Sequence, residues 1–169
     1  VYAIASKRIG KLDLSGGLRY DSRAEDGKAL YLNENEEVTE SSDPNATERF
    51  AAFNRTFSGI SGSIGATWQI SQSVYSKLNI SRGFRAPNIA ELGSNGEHEG
   101  TQRYEIGNPD LKPETSLQLD YALGLNTTHV SAELNVFTNA VDHYIFSNKM
   151  SSLQEPDPLF GNLPAFRFT

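Results

Sequence analysis

Hydrophobic and polar residues alternate along most of this chain. Leu12, Leu14, Gly16, Leu18 and Tyr20 share one parity, and Asp13, Ser15, Gly17, Arg19 and Asp21 the other. The pattern returns where Ile60, Gly62, Ile64, Ala66, Trp68 and Ile70 alternate with Gly59, Ser61, Ser63, Gly65, Thr67 and Gln69. Leu78 and Ile80 alternate with Lys77, Asn79 and Ser81. Leu117, Leu119, Tyr121, Leu123 and Leu125 alternate with Gln118, Asp120, Ala122 and Gly124. Val130, Ala132, Leu134 and Val136 alternate with Ser131, Glu133, Asn135, Phe137 and Asn139. A period of two predicts strands with one apolar and one polar face. Several of these runs reach about ten residues, beyond the five or six usual in soluble sheets. No long amphipathic helix and no internal repeat is visible.

The connections alternate as well. Ile9-Gly10-Lys11, Ser71-Gln72-Ser73 and Asn126-Thr127-Thr128 are short turns. Between them lie long connections from Ser22 to about Phe53, from about Phe84 to Pro113, and from about Ser147 to Pro164. A soluble domain seldom carries three such loops. Short turns at one end and long loops at the other are the pattern of an outer-membrane barrel, whose strands need only alternate residues facing lipid. Closing a barrel also pairs every backbone amide, which hydrocarbon demands. Trp68 and Tyr75 flank a short turn, where an aromatic girdle is expected, and Tyr20 and Tyr144 lie toward the opposite end.

Composition supports this reading. Only 37% of residues are hydrophobic, against 14 glycines, 9 phenylalanines and 7 tyrosines, a β-favouring balance. There is no cysteine, which excludes disulfides and thiolate metal sites. No apolar run of 18 residues marks a transmembrane helix. The net charge of -6 sits entirely between Asp21 and Arg49, where nine acidic residues face three basic ones. A solvated loop carries such charge, and the absence of a basic stripe argues against nucleic acid. Pro164-Ala165-Phe166-Arg167-Phe168-Thr169 reads as the start of a further strand, as if the chain were an excerpt of a longer one.

Two motifs punctuate the second long connection. Phe84-Arg85-Ala86-Pro87 stops a strand, because proline cannot donate to a ladder. Asn88 to Leu92 can form one helical turn. Asn108-Pro109-Asp110-Leu111 has turn chemistry, and Lys112-Pro113-Glu114 launches the next strand. These motifs, with Tyr104-Glu105-Ile106-Gly107 before the second and Val136 to Ile145 later, resemble the barrel of TonB-dependent outer-membrane receptors. The likeness covers most of the chain and is sharpest from Leu78 to Ile145. It implies an all-β, antiparallel transmembrane β-barrel, of which residues 1–169 would supply about seven of 22 strands, without the plug domain or the TonB box. It further implies a Gram-negative outer-membrane location, outer-membrane lipid as surroundings, energy from the TonB-ExbB-ExbD complex through the N-terminal part, and uptake of a scarce metal complex such as a ferric siderophore or haem. No intrinsic cofactor is implied.

Candidate ligand contacts cluster in the loop Gly93 to Tyr104. Glu97, His98 and Glu99 form an acid-flanked histidine suited to zinc or haem iron. Haem receptors of the family are similar in placing a histidine in this interval; the other reading of His98 is a solvated loop residue. Arg85 and Arg103 suit an anionic chelate, although Arg85 equally serves to tie the loop base to the wall, and Tyr104 closes the loop. The acidic stretch Glu34 to Glu37 offers hard oxygens but lacks calcium-loop spacing. Ser61 and Ser63 lack a nucleophile elbow, and no phosphate loop, zincin motif or dinucleotide fingerprint occurs, so no enzymatic activity is expected. Two other classes stay open: a soluble extracellular all-β binding or adhesion domain, and, more weakly, an enzymatic barrel.

Overall fold

The structure is a computed structural model that describes residues 1–98, 100–150, 159–160 and 163–169. Its elements, in chain order, are β1 (Tyr2–Ile9), β2 (Leu12–Gly27), β3 (Leu30–Leu32), β4 (Val38–Thr39), β5 (Thr47–Phe50), β6 (Phe53–Gln69) and β7 (Val74–Arg85). A short helix α1 (Ile89–Gly93) follows. The rest are β8 (Asn95–His98), β9 (Arg103–Ile106), β10 (Glu114–Asn126), β11 (Ser131–Asp142), β12 (Ser147–Lys149), β13 (Leu159–Phe160) and β14 (Leu163–Phe168). The chain divides into two units.

The first unit, Val1–Ser22, Ser58–Arg85 and Glu114–His143, is an open six-stranded sheet in the order β1-β2-β6-β7-β10-β11. Its short turns join β1 to β2, β6 to β7 and β10 to β11, all at one end. Gly10 takes φ +61 in the first of them, matching the strand twist as few other residues can. In the second, the Ser71 hydroxyl accepts from the amide of Val74 (3.1 Å); in the third, the Thr127 hydroxyl accepts from that of Val130 (3.0 Å). Strands of 12 to 17 residues, as in β6, β7, β10 and β11, exceed the nine to eleven or so that a tilted strand needs to cross hydrocarbon.

Register converts the alternation of single strands into rows across the sheet. Ile64, Ile80 and Leu119 stand side by side, as do Ala66, Leu78, Tyr121 and Val136, and Leu123 sits beside Leu134. On the opposite face Ser63, Ser81, Gln118 and Asn139 align, as do Gly65, Asn79 and Asp120. The apolar rows stay exposed: Leu117 at 58% and Leu134 at 68% have no second sheet over them. A sandwich would have buried them, so the structure speaks against the soluble-sandwich reading. Tyr75 departs from the expected girdle. Its register partners, Gln69 and Gly124, put it on the polar face, opposite Trp68. There its hydroxyl donates to Glu133 (2.7 Å), Lys77 reaches the same carboxylate (3.0 Å), and the ring occupies the space a Cβ on Gly124 would need.

The second unit, Arg23–Phe57, Ala86–Pro113 and Tyr144–Thr169, holds nearly all the buried apolar side chains. These are Phe53, Phe57, Ala86, Leu92, Leu111, Ile145 and Ala165. The long connections are therefore not structureless. The first folds into the small sheet β4-β3-β5, and the second contributes α1 and the β8–β9 hairpin. The C-terminal strand β14 forms as read, but it pairs with β12 and runs parallel to β9 instead of extending the six-stranded sheet. The large sheet has six strands, in line with the expectation of about seven. Part of the third long connection lies outside the described residues.

Candidate functional site

The two motifs meet in pairs of complementary groups. Register sets Arg85 opposite Glu114, and the guanidinium grips the carboxylate in two bonds, Nε to Oε2 at 2.6 Å and Nη2 to Oε1 at 2.9 Å. Such bidentate pairing is the strong form of the Arg–carboxylate contact. Arg85 thus holds adjacent strands at the base of the loop, one of the two roles the sequence allowed. Phe84 lies where a Cβ on Gly59 would be, so that glycine makes room for its ring.

Beyond Arg85, Pro87 and Leu92 are fully buried. Asn88 caps α1: its side chain accepts from the Glu91 amide (2.8 Å), and the Glu91 carboxylate accepts from the Asn88 amide (2.8 Å). This reciprocal pair is a capping box. The second motif folds onto the helix. The Gly107 amide donates to the Ser94 carbonyl (2.6 Å) and the Asn108 amide to the Glu91 carbonyl (2.8 Å). The Asn108 side chain accepts from the Asp110 amide (3.0 Å), fixing the Asn108-Pro109-Asp110 turn, while Arg55 donates to the Pro109 carbonyl. Replacing Asn88 with alanine should cost about 1 kcal/mol of local stability. Amide exchange at Glu91 and Leu92 should then quicken about fivefold; unchanged rates would mean that the cap does not hold the turn.

Above this knot lies a cavity of about 400 Å³, lined by residues that include Asn33, Glu36, Arg49, Asn95, Glu97 and Tyr104. Arg49 lies across β8, donating to the Glu97 carbonyl, and its guanidinium fills the space a Cβ on Gly96 would take. Asn95 donates to the Glu48 carbonyl (2.6 Å) and accepts from the Tyr104 hydroxyl (3.1 Å). Burial raises the Tyr104 phenol above its usual range, with the Arg49 charge pulling the other way. The phenol is therefore a neutral donor throughout the physiological range. The lining is mixed: one guanidinium, two carboxylates, two amides and a phenol. Leu32, Thr47 and Gly96 complete it, and Asn33, Arg49, Asn95 and Tyr104 already bond within the protein.

The structure brings together some of the residues expected from sequence and separates others. Glu97 and Tyr104 line the cavity. His98 is exposed at the tip of the β8–β9 hairpin, where its Nδ1 is 3.3 Å from the Thr101 hydroxyl, and it is not part of the cavity wall. Arg103 stacks over the ring of Phe166, 4.4 Å from its centroid. Glu99 lies outside the described residues. Among the described residues, no group of three histidine, aspartate or glutamate side chains converges as a metal site. Sequence reasoning missed Arg49 and Asn95. Arg49 only bounds the acidic segment in the sequence, and the four-residue strand that carries it, β5, is too short to announce itself by alternation.

Two comparisons set this geometry among known proteins. Residues 1–157 match the family model described as "TonB dependent receptor-like, beta-barrel". Among solved structures, a double mutant of the Serratia marcescens hemophore receptor HasR, in complex with its hemophore HasA and heme, superposes with a TM-score of 0.71 at 17% sequence identity. The match covers 99% of this chain and 28% of that one, so the chain spans under a third of its structural neighbour. At that identity the likeness is one of fold.

Proposed function

The chain belongs to the TonB-dependent receptor β-barrel family, and on that premise we propose that it is a wall segment of an outer-membrane receptor that imports a scarce iron complex, haem or a ferric siderophore. The observation that carries this is the two-faced sheet, with rows from Ile64 to Leu134 left bare on one side and polar rows on the other. A bilayer is the solvent in which such a sheet is satisfied. The fold neighbour binds heme, which favours an iron complex as cargo. Energy comes from the TonB-ExbB-ExbD complex through other parts of the receptor, and a bacterial outer membrane is the location. The chemistry is capture and transport, not catalysis.

In this reading the β8–β9 hairpin is the capture element. Arg49, Asn95, Glu97 and Tyr104 offer directed polar contacts, Arg103 adds positive charge along the same loop, and the exposed His98, next to Glu99 in sequence, offers a nitrogen donor to haem iron. The test is titration of the intact receptor with haem and with ferric siderophores, read by absorbance. Haem should bind, and His98→Ala should weaken haem about tenfold while leaving any siderophore binding unchanged. Equal haem affinity in the variant would remove His98 from the site. A receptor that binds neither class of complex would defeat the iron reading.

A further inference from the structure

Arg82 stands on the wrong face for a charge. Register pairs it with Gly62 on one side and Leu117 on the other, in the apolar rows that include Ile64, Ile80 and Leu119. It donates to the Ile60 carbonyl, and among the described residues no carboxylate pairs with it. Beside it an open furrow of about 290 Å³ runs over the apolar face, lined by Leu18, Ile60, Gly62, Ile64, Ile80 and Leu117 among others. Gly62 makes this floor low. A Cβ there would come within 2.5 Å of the Gly17 carbonyl oxygen, so the sheet closes tightly beneath the furrow and no side chain fills it. Arg82 lies only three residues before β7 ends at Arg85, at the end of the sheet from which the long connections leave.

A lone cation on a lipid-facing row is costly at the bilayer centre but not near its surface, where a long side chain reaches the headgroups. We propose that this furrow is a binding site for one anionic acyl lipid of the surrounding leaflet. The acyl chain lies along Ile64, Ile80 and Leu117, and the phosphate-bearing headgroup is held by the Arg82 guanidinium. The inference rests on the barrel reading, since it takes the apolar face to be the lipid face. Charge complementarity chooses the occupant: an apolar trough ending in a guanidinium that no carboxylate among the described residues neutralises fits an acyl chain ending in an anion, and neither a neutral lipid nor a free anion uses both parts.

The test uses the full-length receptor in detergent, titrated with phosphatidylglycerol or with phosphatidylcholine of the same acyl chains, with bound lipid counted by native mass spectrometry. Wild type should retain phosphatidylglycerol selectively. Arg82→Gln should lower its affinity about fivefold, the worth of one basic residue at an anionic surface, and Arg82→Lys should restore most of it. Ile64→Trp, which fills the trough without altering charge, should weaken both lipids. Equal retention of the two lipids by wild type, or unchanged affinity in Arg82→Gln, would overturn the proposal, as would displacement of the lipid by inorganic phosphate alone. Heat-modifiable migration on unboiled gels separates the two levels of failure. If wild type shows none, the barrel reading and the lipid site fall together. If it migrates as a folded barrel without lipid selectivity, only the lipid site falls.

Discussion

Leu119→Arg should destabilise the folded receptor by about 2–4 kcal/mol, the cost measured for a basic residue at the lipid face near mid-bilayer. Leu119 stands mid-strand in β10, between Ile80 and Thr138, on the apolar side. Its neighbour Gln118 occupies the opposite face, between Ser81 and Asn139, and donates to Asp120 (2.7 Å). Gln118→Arg would place the same charge beside a carboxylate, on a wetted face, and should change stability by no more than about 0.5 kcal/mol. Urea unfolding of the receptor in phospholipid vesicles compares the two. The expected contrast is a shift of roughly 30- to 1,000-fold in the folding equilibrium for one position and almost none for the next. Equal losses at both would mean that this sheet does not divide lipid from water.

That contrast also locates what was legible in the sequence. Parity along Leu117 to Leu125 is a local property, written into one strand, and it carries over directly because neighbouring strands pair in phase. The helical turn at Asn88 to Leu92, the proline stop at Pro87 and the turn at Asn108 are equally local, and all three form where expected. What stayed hidden depends on distant partners. Tyr75 reads as a girdle residue until register shows it over Gly124, reaching Glu133 across the intervening strand. Arg85 reads either as a ligand arm or as a tie at the loop base until Glu114 is known to lie opposite. Strand β14 has the alternation of a barrel strand, yet its edge pairs with β9 and β12, a choice no pattern within Leu163–Phe168 encodes.

The distribution of burial follows from the solvent each unit meets. In the six-stranded sheet the apolar residues gain by facing hydrocarbon, so they need no partner layer and remain exposed in isolation. The long connections work in water and must bury their apolar groups internally, and that is where Phe53, Phe57, Leu92 and Leu111 disappear from the surface. One chain thus follows two rules of burial, and a single hydrophobicity average blurs both.

Gly107→Val should unfold the loop knot while sparing the sheet. A Cβ at Gly107 would lie 2.6 Å from the Gly93 nitrogen and 2.7 Å from both the Leu92 carbonyl carbon and the Ser94 nitrogen. All three are backbone atoms, which cannot swing aside as a side chain can. The valine would push the Gly107-Asn108 segment off α1. It would break the bonds from Gly107 to Ser94 and from Asn108 to Glu91, worth about 1 kcal/mol each. Leu92, now fully buried, would be uncovered at a cost of the order of a large-to-small core change, about 2–5 kcal/mol. Few isolated loops hold that much stability in reserve. Protease added outside intact cells should cut the variant within residues 86–113 while wild type resists, and ligand capture should fail. Heat-modifiable migration should persist, because the register of β7, β10 and β11 does not involve Gly107. Loss of that migration would mean that the knot organises the barrel wall as well as the capture loop.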